Sequence, residues 1–284
     1  MQADRSSLSQ SARAPGNRAP DGLTVRMAIH ETAIVDPNAE ISPDAEIGPY
    51  CVIGAGVAIG PRTRLMAHVY LEGKLTIGSD NIFYPYCSCG VTPQDKKYRD
   101  EPSETRIGNG NSIREFVTIN RGTEGGGMIT SIGDGNLLMA YVHVAHDVRI
   151  HNHTILANSV TFAGHVTVDD YANIGGLSAI HQFCRIGRHA MIGSYSVIKQ
   201  SVLPYSITAS DHKAEVYGAN RIGLERRGYS PESIEPLQNA FRILTRSGLN
   251  TTQALSRIEE EIPQSPEVKD LIEFIRGSTR GFIK

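Results

Sequence analysis

From Ile132 to Ile198 every sixth residue is apolar: Ile132, Leu138, Val144, Ile150, Leu156, Phe162, Val168, Ile174, Ile180, Ile186, Ile192 and Ile198. A period of six fits neither a helix, at 3.6, nor a single alternating strand, at 2. It fits a parallel β-helix in which each hexapeptide is one short strand and one turn, with the aliphatic residue pointing inward. Three hexapeptides close one triangular coil of about 18 residues, and successive coils stack about 4.8 Å apart. A first array shows the same period: Val35, Ile41, Ile47, Ile53, Ile59, Leu65, Leu71, Ile77 and Phe83. Four residues after the apolar position the side chain is small, as at Ala39, Ala45, Cys51, Val57 and Thr63.

Two breaks interrupt the rhythm. In-phase positions at 84–106 are Cys89, Asp95 and Glu101, and Pro93 and Pro102 bracket a polar run, so this stretch is expected as an ejected loop. Residues 121–130, with a run of three glycines, form a second loop that shifts the phase. Residues 1–27 are polar, rich in Ser, Arg and Pro and without an apolar signal core. They read as a disordered extension. The β-helix is assigned to 28–212 and a small helical domain to 213–284. In the latter, Ser230-Pro231 caps a helix whose apolar face runs from Ile234 to Leu244. Two further helices are expected over Thr251–Ile262 and Pro266–Arg276.

Composition narrows the function. A net charge of −2 with no one-signed block gives no general nucleic-acid surface. No apolar run approaches the length of a transmembrane helix. The four cysteines (51, 87, 89, 184) read as small buried hydrophobes of a reducing cytoplasm, because the spacing at 87–89 is too tight for a zinc ribbon.

Coil arithmetic then gathers the histidines. Seven of the ten lie between 143 and 189. Spaced by one coil, His146, Gly164 and Gln182 form a column. Asp147, His165 and Phe183 form the next, and Ala145, Ala163 and His181 the one before. None occupies an inward position, so His143, His146, His165 and His181 converge on one outer patch. His151, His153 and His189 fall off it. A neutral imidazole is a general base near neutral pH. Asp147 fixes its tautomer, and the Gly164 N–H is accessible as an oxyanion donor. No Ser or Cys shares these columns, which favours direct transfer over a covalent intermediate. Three readings stay open on spacing alone: acid–base catalysis, a zinc site and a non-catalytic surface.

The hexapeptide array, His143-Val144-Ala145-His146-Asp147, Ala163-Gly164-His165-Val166, His181-Gln182-Phe183-Cys184, the Gln94-Asp95-Lys96-Lys97-Tyr98 run and Gly223-Leu224-Glu225-Arg226-Arg227-Gly228 closely resemble the UDP-N-acetylglucosamine O-acyltransferases. The resemblance runs from about residue 28 to Ser278-Thr279-Arg280-Gly281. It implies an all-β solenoid, a left-handed parallel β-helix with a C-terminal helical domain, assembled as a cytoplasmic homotrimer with active sites between subunits. It implies transfer of a 3-hydroxyacyl group from acyl carrier protein, through its phosphopantetheine thioester, to the 3-hydroxyl of UDP-N-acetylglucosamine. This is the first step of lipid A biosynthesis, with no metal and no further cofactor.

By the same resemblance His146 is the base, Asp147 its orienting partner and Gly164 the oxyanion donor. His143, His165, His181 and Gln182 position the substrates. Asp95 and Lys97 reach the sugar, and Asn220, Arg226 and Arg227 the nucleotide. Ser194, with Met191 and His212, closes the acyl groove. The chain departs from some members at Asn120, where they carry His, and at Ile222, where they carry Glu. The runner-up is another hexapeptide acyltransferase, such as the later N-acyltransferase. A zinc lyase on the same solenoid and an inactive trimeric scaffold are the remaining alternatives.

Overall fold

The computed structural model describes residues 29–210 and 214–284. The expected extension at 1–27 and His212 lie outside them. Three sheets form the walls of a prism. The first wall has nine parallel strands, from Ile34–Val35 to Val197–Ile198, and the second has eight, from Glu40–Ile41 to Arg185–Ile186. The third has ten, and its last strand, Ala214–Ala219, pairs antiparallel with Ser206–Ser210. Each coil contributes one strand to each wall. Most strands are two residues long, the length left when turns take the rest of a hexapeptide.

The apolar beat fills the prism. Ile53, Leu71, Ile119, Val144, Phe162, Ile180 and Ile198 lie one above another inside the first wall, all buried. Each such side chain contributes roughly 1.5–3 kcal/mol relative to exposure. The small positions Ala45, Cys51, Val57 and Thr63 are equally buried, where the interior narrows beside the turns. The coils wind left-handed. The right-handed rule for parallel crossovers rests on strand twist, and two-residue strands are too short to carry it.

Both insertions keep the inward row aligned, Cys89 pairing with Ile119 and Ile119 with Val144, although a shift after Cys89 sets Val91 opposite Asn120. The first loop is shorter than the sequence predicts. Strands Ser88–Val91 and Glu104–Ile107 continue the walls, with Cys89 fully buried in phase, so only 92–103 leave the prism. A polar in-phase residue marks a break, but a cysteine does not. The second loop is likewise trimmed, because Ile129–Ile132 is a wall strand. Within it Glu124–Gly126 makes a single 3-10 turn.

Four helices follow: α1 (Arg221–Arg226), α2 (Pro231–Arg246), α3 (Thr251–Glu261) and α4 (Pro266–Gly277). Ser230 and Ser265 cap α2 and α4 as expected. Leu203, Tyr205, Leu224, Leu237, Phe241, Leu271 and Phe274 form a second core that covers the end of the solenoid. The hairpin of Ser206–Ser210 and Ala214–Ala219 straddles the expected boundary at 212/213, so the helices are reached through the last strands of the third wall. No described helix is long and apolar enough to cross a membrane.

Candidate active site

The corner joining the first wall to the second carries Asp147, His165 and Phe183, each at positive φ, 61°, 62° and 65°. Left-handed backbone costs an L-residue about 1–2 kcal/mol. Here a ladder offsets that cost: His165 N–H donates to the His146 carbonyl at 3.1 Å, and Phe183 N–H to that of Gly164 at 3.3 Å. The turn throws the residue before it outward, so His146, Gly164 and Gln182 line a cavity of about 770 Å³ beside the first wall. His143, His165, His181, Asp95 and Lys97 line it as well. The columns deduced from the period are therefore columns in space.

Asp147 is 4% exposed, and its carboxylate is fully engaged. Oδ1 accepts the Thr123 N–H at 2.8 Å, and Oδ2 accepts the Thr123 hydroxyl at 2.5 Å and His146 Nδ1–H at 2.7 Å. Burial pushes this carboxyl up, but the bonds from His146 and Thr123 outweigh it and hold it below the usual range. The charge is thus present at neutral pH and fixes the proton of His146 on Nδ1. The lone pair of Nε2 is left for the cavity, with Asp95 Oδ2 across from it at 4.0 Å.

Two glycines make this possible. A Cβ at Gly164 would lie 2.4 Å from His146 Cε1, so the imidazole rests on bare backbone. A Cβ at Gly126 would fall 1.9 Å from Asp147 Cγ, so the second loop closes directly over the carboxylate. Among the described residues no backbone acceptor takes the Gly164 N–H.

The other histidines are set individually. His165 packs edge-on to His146 and stacks on Phe183, with centroids 5.1 and 4.5 Å away. Burial lowers its pKa against the opposing pull of Asp147. His143 Nδ1 shares a hydrogen with Thr118 Oγ1 at 2.7 Å, and burial, with a smaller contribution from the neighbouring His146 ring, lowers its pKa. His146, Asp147 and His165 present ligand atoms within 4.8 Å of one another, a spacing a metal could use. Such an ion would have to displace the His146–Asp147 hydrogen bond.

Several expected residues stand elsewhere in the chain. Asn220 caps α1: its Oδ1 accepts from Gly223 N–H and its Nδ2 donates to the His189 carbonyl. Arg226 ends α1, and Arg227 lies over the Tyr171 ring at 4.4 Å. Met191 lies on the third wall and Ser194 at the corner after it, outside the cavity. Neither 191 nor 194 lies a whole number of 18-residue coils from 146, so both turn to a different part of the prism. Residues missed by spacing include Thr118, Thr123 and Lys199. Thr123 was hidden because it sits in the loop that shifts the phase. Lys199 was legible, one coil above His181.

A hexapeptide solenoid bearing an outward imidazole–carboxylate pair on a bare glycine defines an acyltransferase. A family model described as domain 2 of UDP-N-acetylglucosamine O-acyltransferase matches residues 202–283, and a hexapeptide-transferase model matches 27–61 and 129–164. The LpxA structure from Acinetobacter baumannii is 42% identical, with a TM-score of 0.88 over 90% of this chain and 100% of that one. That from Moraxella catarrhalis is 41% identical, with a TM-score of 0.87 over 91% and 100%. The Arabidopsis UDP-N-acetylglucosamine acyltransferase is 34% identical, with a TM-score of 0.79 over 90% and 100%. The chain belongs to the UDP-N-acetylglucosamine O-acyltransferase family.

Proposed function

We propose that this chain transfers a 3-hydroxyacyl group from acyl carrier protein to the 3-hydroxyl of UDP-N-acetylglucosamine, the first step of lipid A biosynthesis, in the cytoplasm. The observation that carries the reading is His146, held by Asp147 and lying directly on Gly164. His146 Nε2 takes the sugar hydroxyl proton as that oxygen attacks the thioester carbonyl. The oxyanion of the tetrahedral intermediate meets the Gly164 N–H. The C–S bond then breaks, and the leaving thiolate of the carrier takes the proton back from His146. The chemistry balances without metal or further cofactor.

His143, His165, His181 and Gln182 position the substrates, and Asp95 and Lys97 reach the sugar from their loop. In a homotrimer a second copy brings its own Arg226, Arg227, Met191 and Ser194 toward this cavity. This accounts for residues that within one chain sit on other faces. Asn220 then acts by capping the helix that carries Arg226.

The test is acyl transfer from a panel of 3-hydroxyacyl carrier proteins to UDP-N-acetylglucosamine, wild type against His146→Ala. Loss of at least about 10³-fold with an unchanged assembly is expected. Retained transfer would overturn the assignment.

A further inference from the structure

The C-terminal tail returns to the solenoid after α4. Ser201 N–H donates to the Gly281 carbonyl at 3.1 Å, and Ile283 N–H to that of Ser201 at 2.9 Å. This short parallel bridge straps the tail onto the coil above the cavity. It sets Arg280 beside His181, 99 residues away in sequence, with Nη2 2.9 Å from His181 Nδ1 and Nε 3.3 Å from the Lys199 carbonyl.

A guanidinium has donors only. A nitrogen that accepts from it carries a lone pair, so the neutral His181 ring holds its proton on Nε2. The other polar contact of Nδ1 is the Gln182 carbonyl at 3.3 Å, which is an acceptor only. It would select the opposite tautomer, with the proton on Nδ1. The two neighbours therefore compete for the state of one ring, and the shorter, charge-assisted contact wins. His181 lines the cavity, and with Nδ1 turned to Arg280 the nitrogen left for a ligand is a donor.

We propose that Arg280 is a positioning residue of this site: strapped to the solenoid by the tail, it holds His181 as an Nε2–H donor toward a substrate oxygen. The proposal rests on the acyltransferase reading only for the identity of that oxygen. Recognition of an acceptor oxygen thereby depends on the last turn of the chain, which packs against the helical cap.

Two measurements test it. Nitrogen NMR of the imidazoles, with His181 assigned by its own substitution, should show the Nε2–H form in the wild type. In Arg280→Ala it should show a shift toward Nδ1–H. An unchanged tautomer would overturn the proposal, whatever the enzyme does. In the transfer assay Arg280→Ala should lower kcat/KM roughly tenfold, with partial rescue by Arg280→Lys and an unchanged melting temperature. A glutamine at 181 keeps its NH₂ where Nε2–H stood and has no tautomer, so in a His181→Gln background Arg280→Ala should cost nothing. Equal losses in both backgrounds would mean that Arg280 acts elsewhere. A wild type without transfer would sink the functional reading and leave the tautomer result to judge Arg280 alone.

Discussion

Two corners of the solenoid carry histidines in columns of one residue per coil, and only one of the two lines the cavity. Between the first and second walls stand Asp147, His165 and Phe183. Between the second and third stand His153, Tyr171, His189 and Tyr205. The backbone is the same in both, left-handed at every step. At the second corner the rings stack in sequence, centroids 5.0, 4.9 and 5.6 Å apart, with Arg227 and Tyr229 closing the sides. At the first corner the residue preceding the turn is Gly164, and the missing side chain leaves an imidazole resting on backbone with a cavity in front of it. A histidine at such a corner becomes chemical when a carboxylate holds one nitrogen and a glycine frees the other. Otherwise it is a ring in a stack.

The contrast can be broken at its strongest point by Asp147→Asn. Asparagine tolerates the left-handed turn, so the corner should fold. Its oxygen keeps the Thr123 N–H, and its NH₂ then faces His146 Nδ1, moving the ring proton to Nε2 and removing the base. A drop in kcat of roughly 10³-fold is expected. Substantial activity would mean that His146 does not need this orientation.

Gly164→Ala is the next largest. The backbone accepts alanine, but the new methyl must push the His146 ring aside, and a displacement near 1 Å should lower kcat about 10²-fold. Circular dichroism and melting should change little. A variant with full turnover would show that the imidazole need not rest on that glycine.

His189→Phe probes the quieter corner and should alter stability alone. Burial, with the charges of Arg227 and Arg188, lowers the His189 pKa to about 4. An unfolded histidine takes its proton near 6.5, so between these values the unfolded chain binds more protons. Stability is then full above the unfolded pKa and declines as pH falls through that window. Melting temperatures at pH 7 and pH 5 should differ less in the variant than in the wild type. An equal loss in both would place the titration elsewhere.

How much of this could be read in advance differs from residue to residue. The column of His146, Gly164 and Gln182 followed from counting, because between Ile132 and Ile198 each residue's height and wall are fixed by its number. The same counting failed for Thr123 and Arg280. One sits in an insertion whose path the period does not set, and the other arrives through a helical cap with a period of its own. Counting also leaves open the face that Met191 and Ser194 turn to a second subunit.

By itself, then, the sequence determined the solenoid, the coil register and the column that lines the cavity, because a strict six-residue beat leaves one way to bury its aliphatic row. Only the tertiary structure decided which lone pairs are free. The Thr123 bonds to Asp147, the fit of Gly126 over that carboxylate and the reach of Arg280 to His181 are contacts across long stretches of chain. Hydrogen bonds act over about 3 Å, a scale that no sequence spacing resolves once an insertion or a second domain intervenes.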